Sequence, residues 1–264
     1  MQMIRVNGVS LHYADQGPAD GRPLVFANSL GTDFRLWDQL LPLLPKGLRV
    51  IRYDKRGHGL SDGPAAPYFM GDLVADQAAL LDALQVKDAV VVGLSIGGMI
   101  AQGLAAERPD LVRAMVLSNT GARIGNEAIW DERMGTARKG GIEALADATL
   151  ERWFSADFRT SRRTELAAWR NMLCRTWLEG YLGCSAAIRD SDLFDSTARL
   201  SLPVLGIAGS EDGSTPPDMV RETADLVAGS AFELIRGAGH LPCVENPKRY
   251  GEILTAFLRK TGHI

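Results

Sequence analysis

Short apolar runs recur along the chain, and stretches with helical spacing fill most of the intervals between them. Residues 4–14 alternate apolar and polar positions around Asn7-Gly8, the signal of a two-residue hairpin. Six further runs have strand length: Leu24–Ala27, Arg49–Tyr53, Ala89–Leu94, Ala114–Leu117, Pro203–Ala208 and Phe232–Ile235. In the third of them, Val90-Val91-Val92 reads as a strand buried on both faces, the kind found inside a parallel sheet. Leu73–Leu84, Ile100–Glu107, Met219–Val227 and Tyr250–Leu258 carry helical spacing. Alternation of this kind predicts right-handed βαβ crossovers, giving an α/β fold with a mostly parallel eight-stranded sheet and helices on both faces. The rhythm breaks once. No strand pattern appears from Gly121 to Leu202, where Trp130, Trp153, Trp169 and Trp177 sit among helical segments. Residues 122–195 are therefore expected to form a helical cap, inserted into a core made of residues 1–121 and 196–264.

Composition narrows the class. The chain has 264 residues, 46% of them hydrophobic and 23% charged, which suits one large globular domain with an insertion. No apolar stretch approaches the ~20 residues of a membrane span, and residues 1–9 carry no export signal. Cys174, Cys184 and Cys243 have neither metal-binding nor disulfide-framework spacing, which points to reduced thiols in a cytoplasm. A net charge of −3 without basic clusters argues against a nucleic-acid partner. A small-molecule enzyme is the natural expectation, with no metal and no organic cofactor implied by any ligand cluster. Oligomeric state is not legible.

One segment changes character within five positions: the valine strand runs into Gly93-Leu94-Ser95-Ile96-Gly97, and helical spacing resumes from Gly98. At the tip of a strand–turn–helix, a side chain projects above the C-terminal edge of the sheet. Larger neighbours would collide there, so Gly93 and Gly97 make room for the close approach of strand and helix. A serine held at such a tip, beside a helix N-terminus, suits a nucleophile. A phosphate-binding glycine loop is the competing reading, but it needs glycine where Ser95 stands and an acidic residue where Leu117-Ser118-Asn119 lie. A structural serine in a tight turn is the other.

A serine needs a base, and the chain offers four histidines. His12 falls in the first hairpin as a surface strand residue, and His263 falls in the C-terminal tail. His58 lies in a polar loop, residues 53–62, where structural hydrogen bonding is the better reading. His240, in Gly237-Ala238-Gly239-His240-Leu241-Pro242, follows the last strand, where a loop can lean over the sheet edge; it is the favoured base, with His58 the alternative. The acid should leave the preceding strand, where Glu211 and Asp212 follow Gly206–Gly209. Asp212 is favoured, and Glu211 is read as a solvated charge. The resulting order is Ser95, Asp212, His240.

That order, with Gly93-Leu94-Ser95-Ile96-Gly97-Gly98 as nucleophile elbow, resembles the α/β-hydrolase superfamily. Asp54-Lys55-Arg56-Gly57-His58-Gly59-Leu60-Ser61 resembles its Asp-x-Arg-Gly-x-Gly-x-Ser loop, and Gly239-His240 with Glu245-Asn246-Pro247 its histidine loop. The resemblance implies an α/β-hydrolase fold and an oxyanion hole made by the backbone N–H of Ile96 and, after Phe26, that of Leu30. Most relatives have His-Gly-x in that second loop, whereas this chain has Asn28-Ser29-Leu30-Gly31. Together with Thr32-Asp33, Trp37-Asp38, Gly98–Gln102, Leu150–Phe154 and the Glu179–Asp190 segment, the departure is similar to the 3-oxoadipate enol-lactonase branch.

What that branch implies is an anionic lactone substrate, opened through an acyl-enzyme in aromatic-acid breakdown. An anion asks for a cation. Trp130 and Arg133 stand three apart on an expected cap helix, so one face can present both to the substrate; a surface arginine lying over a core tryptophan is the competing reading. Other functions share the scaffold: a broad carboxylesterase, a cofactor-free perhydrolase, or a hydrolase-fold receptor that binds without turnover.

Overall fold

A computed structural model describes residues 1–264. The first hairpin joins β1 (Gln2–Val6) to β2 (Val9–Gln16), and Asn7 and Gly8 both take positive φ, 46° and 78°, as the tightest hairpin turns require. The remaining strands are β3 (Arg22–Ala27), β4 (Leu48–Tyr53), β5 (Ala89–Leu94), β6 (Val112–Ser118), β7 (Val204–Gly209) and β8 (Ala231–Ile235). They form one eight-stranded sheet in the order β1-β2-β4-β3-β5-β6-β7-β8. Only β2 runs against its neighbours; every pairing from β4 to β8 is parallel. The expected fold is the one observed.

Helices α1 (Met70–Ala83), α2 (Ile96–Glu107), α9 (Pro217–Asp225) and α11 (Pro247–Lys260) flank the sheet. Helix α2 starts at Ile96, ahead of the expected Gly98, because its glycines hide the helical spacing at that end. Six helices lie between β6 and β7: α3 (Glu127–Gly140), α4 (Glu143–Trp153), α5 (Ala156–Ser161), α6 (Arg163–Cys174), α7 (Leu178–Arg189) and α8 (Phe194–Ala198). A short α10 (Pro242–Glu245) precedes α11. Asn246 caps α11 by accepting from the Arg249 N–H, and Pro247 occupies its first turn, where a missing N–H costs nothing.

Strand β5 is fully buried, as the valine run predicts, and lies at the centre between β3 and β6. One apolar cluster runs from these strands into the inserted helices, where it takes in Trp130, Trp153, Phe154 and Leu173. The insertion is thus held over the sheet by a shared core. Because β3 to β8 are parallel, their C-terminal ends all open beneath it. No helix is long and apolar enough to cross a membrane.

Candidate active site

Five loops converge at that edge. Ser95 follows β5 with φ 58° and ψ −121°, a conformation that costs a non-glycine residue about 1–3 kcal/mol. The turn is locked by its neighbours. The Ser95 N–H donates to the Ser118 carbonyl (3.0 Å), and the Ser95 carbonyl accepts from Thr120 Oγ1 (2.6 Å) and the Gly98 N–H (2.8 Å). A Cβ on Gly93 would stand 2.2 Å from the Gly97 carbonyl oxygen, and one on Gly97 would stand 2.1 Å from that of Ala27. These glycines serve close backbone approach. Gly97→Ala is therefore expected to destabilise the fold by about 1–3 kcal/mol, read as a lowered denaturant midpoint at unchanged m-value.

His240 follows β8 and Asp212 follows β7. His240 Nδ1 donates to Asp212 Oδ2 at 2.9 Å, leaving Nε2 as the basic nitrogen. Nε2 meets the Ser29 hydroxyl at 3.5 Å, and no hydrogen bond joins it to Ser95, although Ser95 and His240 line one cavity. Asp212 also accepts from Asn119 Nδ2 (2.7 Å), Thr215 Oγ1 (2.7 Å) and the backbone N–H groups of Ser214 (2.7 Å) and Thr215 (3.1 Å). Burial alone would raise the Asp212 pKa. The adjoining His240 and the hydrogen bonds from His240, Asn119 and Thr215 outweigh it and hold the carboxyl below its usual range. Asn119, at φ 45° after β6, is a support the sequence reading missed; only its place after a strand hinted at it.

The other candidates are accounted for. Glu211 is exposed and accepts from the Ala156 N–H (3.3 Å). His58 is buried, its Nε2 accepts from the Gly31 N–H (2.9 Å), and it does not line the cavity that holds Ser95. His263 is buried, with Nε2 against the Pro23 carbonyl (3.0 Å). His12 is not the surface residue its strand suggests. Its Nδ1 lies 2.8 Å from Asp54 and its ring stacks on Phe34, because the loop after β4 folds back beneath β2. Glu245 binds the Gly239 N–H (2.6 Å) and the Ser155 hydroxyl (2.5 Å), tying the histidine loop to the inserted helices; burial raises its pKa.

Leu30 lies on the loop after β3 and Ile96 at the start of α2. Neither N–H is bonded to another group of the protein, and Ser29, Leu30, Ser95 and His240 share one cavity of about 190 Å³. Its roof is Trp130 and Arg133 of α3, Arg152 and Trp153 of α4, and Tyr181 of α7. The Arg133 guanidinium lies 4.9 Å over the Trp130 ring, whose Nε1 donates to the Ile124 carbonyl (2.7 Å). Arg152 is the second cation of the roof, and the sequence reading missed it. It donates to Thr149 Oγ1 (3.2 Å), and its pKa is lowered by burial and by the charge of Arg133. Neither arginine has a carboxylate partner, whereas Arg189 is paired with Asp131 and Asp190. No three His, Cys, Asp or Glu side chains are grouped to hold a metal ion.

An eight-stranded sheet with this elbow after β5, and with the aspartate and histidine loops after the parallel strands β7 and β8, defines a hydrolase of the α/β type. The chain belongs to the Alpha/beta hydrolase family, which it matches over residues 24–253. It is 33% identical to 3-oxoadipate enol-lactonase 2 of Acinetobacter baylyi, over 97% of this chain and 96% of that protein. It is 30% identical to a non-heme chloroperoxidase of Streptomyces lividans, over 96% and 97%. The enol-lactonase of Burkholderia xenovorans LB400 has a crystal structure that superposes with a TM-score of 0.94 at 36% identity, covering 98% of this chain and all of that one.

Proposed function

We propose that this protein opens a carboxylate-bearing enol-lactone, of the 3-oxoadipate type, through an acyl-enzyme on Ser95. Support comes from the two arginines without counter-ions in the roof of the cavity that holds Ser95 and His240. A half-buried guanidinium close to a second one is unfavourable until an anion arrives, so the roof selects a negatively charged substrate. The similarity to enol-lactonases over nearly the whole chain supplies the ring.

His240 Nε2 takes the Ser95 proton as Oγ attacks the lactone carbonyl. The N–H groups of Leu30 and Ile96 receive the negative oxygen of the tetrahedral adduct. Collapse breaks the ring C–O bond and expels an enolate, a better leaving group than an alkoxide. The imidazolium returns the proton, and the enol relaxes to a ketone. Water, deprotonated by His240, then cleaves the Ser95 ester and releases a 3-oxo dicarboxylate. Asp212 stays ionised throughout and orients the ring.

The arginines provide the test. Steady-state loss of enol-lactone absorbance is compared with hydrolysis of an uncharged aryl ester in Arg133→Ala, Arg152→Ala and Arg133→Lys. A charge-assisted hydrogen bond is worth about 1.5–3 kcal/mol, so each alanine should cut kcat/KM for the lactone about ten- to a hundredfold and spare the ester. Lysine should restore part of the loss, because it keeps the charge without the bidentate fork. Equal losses on both substrates would mean that the arginines only hold the helices together. A wild-type enzyme preferring the uncharged ester would make it a general esterase.

A further inference from the structure

The loop after β4 carries three buried basic side chains that the catalytic scheme above does not use; Arg56 is taken up by Asp76 at 2.6 Å, which leaves Lys55 and His58. Both reach the loop after β3. Lys55 Nζ donates to the Ser29 carbonyl at 2.6 Å and, more weakly, to that of Thr32 at 3.4 Å. His58 Nε2 accepts from the Gly31 N–H at 2.9 Å. The two contacts fall on the two peptide units flanking Leu30. In a planar trans peptide the C=O and N–H point in opposite directions. Fixing the Ser29 oxygen on the Lys55 side therefore turns the Leu30 N–H the other way, while the His58 contact fixes the next peptide plane.

We propose that Lys55 and His58 are positioning residues for the oxyanion hole: together they set both peptide planes around Leu30 and so aim its N–H at the acyl oxygen. The inference rests on the acyl-transfer reading of Ser95 and extends it to residues that never touch substrate. Three features support a role beyond filling space. Burying an ammonium is costly, and an apolar side chain would fill the same space without that penalty. A cation on the Ser29 carbonyl polarises the amide and strengthens its N–H as a donor. The loop also has a fixed shape at the same point, since Gly31 takes φ 75°, which glycine adopts freely, and a Cβ there would lie 2.5 Å from Leu173 Cδ1. The protonation states agree. Burial pulls the Lys55 pKa down to about 8, which leaves it charged near neutrality. Burial and the Lys55 charge push His58 well below its ordinary value, so its Nε2 is free to accept.

The test measures kcat, KM and thermal midpoint for p-nitrophenyl acetate hydrolysis in wild type, Lys55→Met, His58→Leu and His58→Gln, with Ser95→Ala as control. Deleting an oxyanion donor outright costs about 10²–10³ in kcat, so misaiming one should cost about 10–100-fold, with KM changed by less than about threefold. Glutamine can accept from the Gly31 N–H through Oε1, so His58→Gln should recover most of the kcat that His58→Leu loses. Should Lys55→Met not fold, the His58 pair decides alone. Folded Lys55→Met or His58→Leu at wild-type kcat, losses confined to KM, or a glutamine variant as slow as leucine would each overturn the inference. A wild type inactive on both this ester and the enol-lactone, or an active Ser95→Ala, would instead overturn the acyl-transfer reading beneath it.

Discussion

Ser95→Ala is expected to give a folded protein whose ester turnover falls by about 10⁶-fold. The stability half of that expectation follows from the turn. Alanine carries the same Cβ as serine at φ 58°, so the backbone strain is unchanged. The contacts that lock the turn, from Thr120 Oγ1 and the Gly98 N–H to the Ser95 carbonyl, are made by the main chain of residue 95. The Ser95 hydroxyl opens onto the cavity and holds nothing in place. The rate half follows from the chemistry: without Oγ, neither His240 nor the N–H groups of Leu30 and Ile96 has an adduct to act on. Thermal unfolding and steady-state hydrolysis of an aryl ester and an enol-lactone check both halves. Substantial turnover by a pure, folded variant would show that attack on the carbonyl comes from elsewhere, water included.

How much of this was legible in the sequence depends on the range over which each feature is encoded. The elbow is local: strand, turn and helix occupy consecutive residues, and Gly93 is required by a contact of 2.2 Å to the Gly97 carbonyl within that same crossing. The 2.1 Å contact that requires Gly97 comes instead from Ala27 on the neighbouring β3. The sheet was equally legible, because each buried parallel strand announces itself as an apolar run. Asp212 and His240 could be singled out because parallel strands deliver their loops to one edge. Arg152 could not. It meets the cavity only through the packing of α4 beside α3, and no spacing within either helix records that packing. His12 and Lys55 fail for the same reason. Alternation in β2 points His12 outward, yet Asp54 returns from 42 residues away to meet it. Likewise, nothing in Asp54–Ser61 reveals that Lys55 reaches back 26 residues to the Ser29 carbonyl. Asn119 lies between these extremes, being placed by a strand end but given meaning only by Asp212.

Asp212→Asn is expected to lower kcat by about 10⁴-fold, the loss seen when a triad histidine is left in the wrong tautomer. Every group around the carboxylate is a donor or can act as one. Oδ1 takes the Ser214 and Thr215 N–H groups, and Oδ2 takes Asn119 Nδ2, Thr215 Oγ1 and His240 Nδ1. An amide nitrogen in the Oδ2 position would face the His240 Nδ1 hydrogen, drive the proton to Nε2 and abolish the base. In the Oδ1 position it would face two backbone donors and cost stability. Glu211→Gln, which alters only the exposed contact to the Ala156 N–H, should leave kcat near wild type; the reverse ranking would reassign the acid. Unfolding as a function of pH supplies a second check with a defined sign. The native Asp212 carboxyl lies below its usual range, so its ionised form stabilises the fold. That contribution is complete above the unfolded carboxylate value of about 4 and is lost as pH falls through the lower native value. The stability gap between wild type and Asp212→Asn should thus be constant near neutrality and close only in that acid window. A gap that closed instead as pH rose through neutrality would mean that Asp212 is protonated in the native state, and an acid in that form could not hold His240 as a base.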